Sequence, residues 1–432
     1  MAPAFIELLL QARNPESLPS NSAEGLRQQW RQPSDVLSVL LLLGGEVVNK
    51  ALGQLAGGRL TPVTFSFGWA SYAMTTLLAS VGDAKLMPGV ADASCLVINA
   101  NTGYVRNNGS WVIERLVRDY ESWMHVSVKE KLNSIREERQ RYMQKKAKVG
   151  TVIPKPYQTG LCIGVYEPSK RRVSGEPARD LLFWSGAVVA IIQMMIASSV
   201  PLLGQGDWFV LLITACGTIL ALATGSLPEW ASEKWACRRG TTSGFILTRG
   251  NGAQHAILIM GNGNGLNLED LAVSHRMHHR ESDTATKMWL GTLSTLWIVL
   301  LISAAGLTNG SIYLLAVGGL GMLHSIVVVG WRRDLKVLGI HLEFLDVVGE
   351  MATMDALLRC EAKFPGAGRA LLPIFFPGKL LPEEVLKWEA LEAESRGQNI
   401  AGQGEAMEES REENDQVESW AAQARSYEKV EK

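Results

Sequence analysis

Residues 181–228 read LLFWSGAVVAIIQMMIASSVPLLGQGDWFVLLITACGTILALATGSLP, and a single charge, Asp207, interrupts them. Residues 181–206 supply 26 uncharged positions and residues 208–228 another 21, where a helix of about 20 residues crosses the hydrocarbon of a bilayer. Residues 288–331 repeat the pattern with 44 positions free of Asp, Glu, Lys and Arg, too many for one span, and Thr308-Asn309-Gly310 supplies a turn near the middle. Trp184, Trp208, Trp230, Trp289 and Trp331 stand at the rims of these runs. An amphipathic ring is stable there between headgroup and hydrocarbon, whereas a buried soluble core has no use for a Trp at each rim. Two helical hairpins, and so four spans, follow.

Two earlier segments are more polar and are read as two further spans. Residues 36–55 begin VLSVLLLLGG, but Glu46, Asn49, Lys50 and Gln54 recur at helical spacing and form one polar stripe, which suits a span facing protein or a helix lying at the interface. Residues 60–82 give 23 uncharged positions rich in Thr, Ser and Gly, and a span there needs its hydroxyls bonded back to the helix or to neighbours.

Lys and Arg set the orientation. The turns at Asp207 and Asn309 contain none, while Lys170, Arg171, Arg172 and Arg179, then Lys234, Arg238 and Arg239, then Arg276, Arg280 and Lys287, then Arg332, Arg333 and Lys336 flank the opposite ends. The positive-inside rule makes the long segments cytosolic, and an even number of spans leaves both termini inside. MAPAFIELLL lacks the basic start of a cleavable signal and carries Glu7. Asn309-Gly310-Ser311 is a glycosylation sequon on the outer side, in a turn too short to hold it clear of the bilayer.

With 42 Lys and Arg against 43 Asp and Glu, the net charge of −1 gives no reason to expect nucleic acid. Its distribution is uneven: residues 383–432 hold 6 basic and 14 acidic side chains, so a basic body trails an acidic tail. Five cysteines, odd in number and without CxxC spacing, exclude a disulfide scaffold.

The chain therefore divides into a cytosolic N-terminal segment (1–33), a first transmembrane hairpin (34–82), a cytosolic loop (83–180), a second hairpin (181–228), a second cytosolic loop (229–287), a third hairpin (288–331), a cytosolic helical region (332–394) and a disordered acidic tail (395–432). In the first loop, 95–98 reads as a strand, and Ser110 is placed to cap a long helix from Trp111 whose second half, 129–148, holds 8 basic and 3 acidic residues. Such a helix lies on anionic headgroups or is a solvated face. In the second loop, 245–249 and 254–260 flank Asn251-Gly252 as a β-hairpin. With a strand at 161–165, these pieces are expected to pair into one small sheet. Residues 333–364 read as helical, and Pro365-Gly366 breaks the pattern.

The sharpest chemical constellation is His275-Arg276-Met277-His278-His279, followed by Glu281 and Asp283. On a helix His275, His278 and His279 share a face, and imidazoles with nearby carboxylates form the ligand set of zinc or non-haem iron. The HxxHH spacing resembles one histidine box of membrane fatty-acid desaturases and hydroxylases, but those enzymes need several boxes and this chain has 7 His, the other four scattered. The alternative is an ordinary, partly buried His face on a juxtamembrane helix. The glycines of 261–265 are spaced GxGxG rather than GxGxxG, which reads as a tight turn and not a phosphate cradle. His324, inside a span, is a proton relay, a haem ligand or a hydrogen-bond donor to a neighbouring helix, and the last suits a lone His. Glu46 and Lys50, one turn apart, form a packing pair. No GxSxG, HExxH, CxxC or Walker motif is present.

As a set, PSDVLSVLLLLGGEVVNKALGQLAG, PVTFSFGWASYAMTTLLASVGD, GDWFVLLITACGTILALATGSLPEW with EKWACRR, LTRGNGAQHAILIMGNGNGLNLEDLA and LLPIFFPGKL resemble a family of uncharacterised integral membrane proteins of filamentous fungi, over most of residues 34–390. The resemblance implies a fungal multi-pass membrane protein and carries over no site residue. The expectation is a mainly α, polytopic membrane protein of six spans with a small α+β cytosolic layer, acting in the bilayer as a scaffold or accessory protein with cytosolic protein partners. The alternatives are a Zn or Fe enzyme working on a lipid-like substrate through His275, His278 and His279, or a transporter using the polar stripe of 46–54.

Overall fold

The computed structural model describes residues 34–58, 60–81, 86–90, 94–148, 152–202, 208–273, 282–307 and 311–393. The His275, His278 and His279 cluster, Asn309 and Gly310 of the sequon, the N-terminal segment and the acidic tail lie outside the described residues. In chain order the elements are α1 (Ser34–Leu55), α2 (Gly68–Val81), β1 (Leu96–Asn99), β2 (Val105–Asn107), α3 (Trp111–Arg118), α4 (Tyr120–Trp123), α5 (Val126–Lys146), β3 (Leu161–Pro168), α6 (Leu181–Leu202), α7 (Phe209–Gly225) and α8 (Pro228–Lys234). There follow β4 (Arg239–Thr241), β5 (Phe245–Thr248), β6 (His255–Ile259), β7 (Gly265–Leu266), α9 (Leu268–Val273), α10 (Ser282–Ala305), α11 (Ser311–Gly330), β8 (Leu342–Glu350), α12 (Thr353–Lys363) and α13 (Ala367–Phe375).

Four helical stretches among the described residues are long and apolar enough to cross a membrane: α6, α7 continuing through α8, α10 and α11. They are the charge-free runs of the sequence. Many of their large apolar side chains point outward, among them Ile191, Leu212, Val299 and Leu323, which suits a bundle whose surroundings are hydrocarbon.

The segment expected as a helix over 60–82 folds differently. Residues 60–66 are extended, and only Gly68–Val81 is helical. From Val63 to Phe67, VTFSF alternates hydroxyl-bearing with larger apolar side chains, a period-2 pattern rich in β-favouring residues. The extended stretch is buried among helices: Thr61 and Thr64 are 0 % exposed and Ser66 1 %. Glycines make the room, since a Cβ at Gly186 would overlap Pro62, at Gly217 Phe65, at Gly318 Phe67 and at Gly321 the Phe65 carbonyl. Its backbone groups find partners in the bundle, as irregular chain inside a membrane must. Gln193 Nε2 donates to Phe65 O and to Val317 O, both at 2.7 Å, and Trp69 Nε1 donates to Thr64 O at 2.9 Å.

The contacts fix the direction of travel. Thr61 N donates to Ser226 Oγ at the end of α7 (3.3 Å), while Phe65 abuts Gly217 nine residues earlier in the chain, so the segment runs about 13 Å into the bundle. α2 then returns: Trp69 stacks on Trp297 (5.1 Å between centroids) and Thr76 Oγ1 meets Ser294 Oγ at 2.7 Å, one turn nearer the start of α10. α1 runs parallel to α11, with Gly44 beside Met322 and Gln54 Nε2 donating to Trp331 O at 3.2 Å.

Where α1, α6, α8 and α11 meet, two cations that the sequence assigns to membrane flanks are buried in the protein. Lys234, 1 % exposed, donates from Nζ to Gly53 O (3.0 Å) and Ala56 O (2.7 Å), closing the carbonyl end of α1. Arg333 pairs through two nitrogens with Asp180 (2.9 and 2.6 Å) and donates to Gln54 O (2.5 Å). Asp180 Oδ1 also accepts from Phe183 N at 2.8 Å, which starts α6.

The expected strands do form one sheet, ordered β2-β1-β5-β6-β3-β8, with β6 parallel to β3 and the other neighbours antiparallel. Three loops contribute to it. One face packs Ile98, Ile163, Ile246 and Leu258 against α12 and α13, and the other packs Val97, Leu247 and Ile257 toward α3 and the bundle. β8 corrects the helical reading of 333–364: Gly339 (φ 77°) stops a short 3-10 turn, and residues 342–350 pair along β3. The ends of β3 and β6 at Pro168 and Ile259 and the start of β8 face the bundle; the opposite ends, at Leu161, His255 and Glu350, lie far from it.

The helix from Trp111 starts where expected, but Ser110 makes no side-chain cap. The long helix also breaks at Asp119 and again at Met124-His125, where His125 caps α5 by accepting from Ser127 N. α5 buries Val128, Leu132 and Ile135 on the sheet edge. It runs from His125, stacked on Phe344 (4.1 Å), past Gly349, and its basic second half is largely exposed.

Candidate functional site

Inside the bundle, His324 is held by hydroxyls. Ser185 Oγ donates to Leu182 O (2.7 Å), leaving a lone pair for His324 Nε2 at 2.9 Å, and Thr64 Oγ1 lies 3.4 Å from Nδ1. The ring thereby ties α6, α11 and the extended segment together, the helix-joining reading of its sequence. Glu46 and Lys50 pair at 3.0 Å as their spacing requires.

A cavity of about 740 Å³ is an apolar groove between α7 and α10 lined by residues such as Leu212, Ile219, Leu296 and Val299. It opens outward from the bundle and converges no polar chemistry. The Gly261–Gly265 loop is the tight turn expected: Gly263 sits at φ 84°, and a Cβ at Gly261 would overlap Thr242. The helix after it, α9, is six residues long. Among the described residues no group of three His, Cys, Asp or Glu side chains is placed to hold a metal.

A second cleft, about 480 Å³, lies at the end of the sheet away from the bundle. Arg118 and Glu121 line it from α3 and α4, Tyr157 from the approach to β3, and Arg249, Gln254 and His255 from the β5–β6 hairpin. The hairpin itself follows from Asn251-Gly252, with Gly250 and Gly252 at φ 93° and 83°.

His255 is the centre of its chemistry. Tyr120 packs edge-on to the imidazole at 5.2 Å, and both ring nitrogens are buried without a hydrogen-bond partner. Glu121 Oε1 lies 3.8 Å from Nε2, beyond hydrogen-bond reach. Burial holds the imidazole below its ordinary pKa, Arg136 and Arg249 push the same way, and Glu121 opposes them. The neutral ring keeps one N–H donor and one acceptor, both enclosed beside the cleft rather than open to it. Arg136 stacks over Tyr157 (5.4 Å) and donates to Gln254 Oε1 at 3.2 Å, while Arg118 is engaged by Asp119 through two 2.9 Å bonds. Cys162, opposite His255 on β3, has its thiol pushed up to about 12 by burial. This arrangement presents hydrogen-bonding groups and charge, the chemistry that suits a polar ligand.

The sequence did not mark this place. His255 stood as one scattered His, and its neighbours come from three segments spread over more than 100 positions. Comparison of the chain with known protein families, curated proteins and solved structures finds no match.

Proposed function

We propose that this is a membrane-anchored scaffold or accessory protein whose sheet layer faces the cytosol and presents the His255 cleft to a soluble partner. The observation that carries the reading is a charged cleft, centred on a buried imidazole without hydrogen-bond partners, held at the end of the layer farthest from the bundle. Inside the bundle, by contrast, Gln193 and His324 spend their hydrogen bonds joining helices, which favours a binding role over transport along a polar path.

The same reading gives five full crossings, α1 included, plus one re-entrant segment formed by 60–67 and α2. Parallel alignment of α1 with α11 then puts the start of α1, Ser34, on the face opposite the layer, in place of an even number of crossings. Arg238, Arg239, Lys287, Arg332 and Lys336 at the layer end support a cytosolic layer.

The test is site-specific photo-crosslinking in intact membranes from position 157, where Tyr157 is 72 % exposed at the cleft rim, against position 104, where Tyr104 is 51 % exposed elsewhere on the layer. One product captured at 157 and lost in H255Q and R249E supports the reading. Equal capture at both positions, or capture indifferent to those substitutions, refutes it.

A further inference from the structure

α1 lies at the edge of the bundle, packed on α2 and α11. Its outward side carries Glu46, whose side chain is 76 % exposed, paired with Lys50 at 25 %. Gln54 is level with Trp331, just past the end of α11, and Gly44 is level with Met322. Glu46 stands eight residues before Gln54, about 12 Å of helix, and is thus well inside the depth covered by the 20-residue α11. With α1 read as a full crossing, as proposed above, an exposed carboxylate at that depth faces hydrocarbon. Lys50 offsets its charge, but the outward oxygens lack the solvation that water would give, and ionisable groups within spans face protein or water as a rule.

We propose that this face is covered by α1 of a second copy, in a parallel dimer whose two-fold axis runs along the bundle. The face is complementary to itself. Each copy sets an acid and a base one turn apart, so Glu46 reaches the partner's Lys50 across the axis while the partner's Glu46 reaches Lys50, and two pairs become a ring of four alternating charges. Burial between two helices also removes the carboxylate from lipid. The proposal is independent of the cleft and its ligand.

The test uses full-length protein carrying two different tags, co-expressed and reconstituted in phosphatidylcholine nanodiscs. Wild type is expected to co-capture itself. E46K, with two bases on the face, and K50E, with two acids, are each expected to lose self-capture at least tenfold, whereas E46K with K50E restores it, because every cross-helix pair is then of opposite sign. Thermal melts check that each variant folds. Should the like charges unfold the single variants, E46Q/K50Q removes both charges without repulsion and is expected to reduce self-capture. The proposal is overturned by a monomeric wild type in photobleaching counts, by self-capture of the variants equal to wild type, by no recovery in the mixed pair, or by a cross-link from position 46 to residues 1–33 or to another protein in place of a second copy.

Discussion

Substitution of Gly321 by Ala probes the embedded extended segment with a single methyl group. In an ordinary helix the change stabilises by about 1 kcal/mol, through lower backbone entropy in the unfolded chain. In α11 the new Cβ overlaps the Phe65 carbonyl and sits 2.8 Å from Gln193 Nε2, the group that donates to that carbonyl. Neither is a flexible tip, so either the segment or α11 must shift. Overpacking of this kind costs about 1–3 kcal/mol. Displacing Gln193 forfeits two hydrogen bonds, each worth about 0.6 kcal/mol among membrane helices. The steric cost outweighs the propensity gain, and Gly321→Ala is expected to destabilise by about 2 kcal/mol. Gly319 is the control: two residues away on the same helix, a Cβ there meets nothing within 4 Å, and Gly319→Ala is expected to be neutral or slightly stabilising. SDS titration in mixed micelles, read by tryptophan fluorescence, gives the two midpoints relative to wild type. Equal midpoints for the two variants would falsify the packing of residues 62–67 against α11.

Three further outcomes follow from the buried ions and the cleft. Lys234→Met leaves the Gly53 and Ala56 carbonyls without their ammonium donor and is expected to cost about 2–3 kcal/mol, seen as a lower thermal midpoint in detergent. Burial raises the Asp180 carboxyl, but the Arg333 guanidinium outweighs it and holds the group below its ordinary 3.8. The stability this pair contributes is therefore complete above that value and lost as pH falls through the lower folded-state pKa, so Asp180→Asn should lose that acid limb of the melting profile. His255 is depressed below 6.5 by burial, which favours the neutral ring in the folded state. Its contribution is full above 6.5 and declines as pH falls below it, and His255→Gln should flatten the profile between about pH 7 and 5; an unchanged slope would show that the ring is not buried as described. The cluster outside the described residues has its own test: elemental mass spectrometry of purified protein, where zinc or iron present in wild type and absent in the H275A/H278A/H279A variant would favour the metalloenzyme reading.

Features encoded locally were legible. A bilayer-length run without charge, as in 181–206 or 311–330, has few other uses, and Asn251-Gly252 between two β-favouring runs specifies a hairpin before any tertiary contact exists. Residues 60–67 show why length alone misleads. They lack charge as a span does, but alternate like a strand in VTFSF, and what settles them is a set of glycines at 186, 217, 318 and 321 on three other helices. Lys234 and Arg333 look like positive-inside flanks because that rule counts charge without regard to burial; their partners, Gly53 and Asp180, are 181 and 153 positions away. β8 was hidden because its alternation is short and its pairing partner, β3, lies before all four long spans. The cleft had no local signal, since its chemistry arises only when two loops far apart in the chain fold onto one sheet.

The most direct measurement is the sidedness of position 60. Leu60 is 56 % exposed and sits between α1 and the buried extended stretch. With Cys216 and Cys237 replaced by Ala, Leu60→Cys in sealed vesicles is treated with a membrane-impermeant maleimide from each side in turn. A re-entrant segment places position 60 on the layer side, so labelling should occur from the face that also labels a cysteine at Tyr157. Labelling of position 60 from the opposite face alone would mean that residues 60–82 cross the membrane completely, and would contradict the embedded, returning segment on which this account of the fold rests.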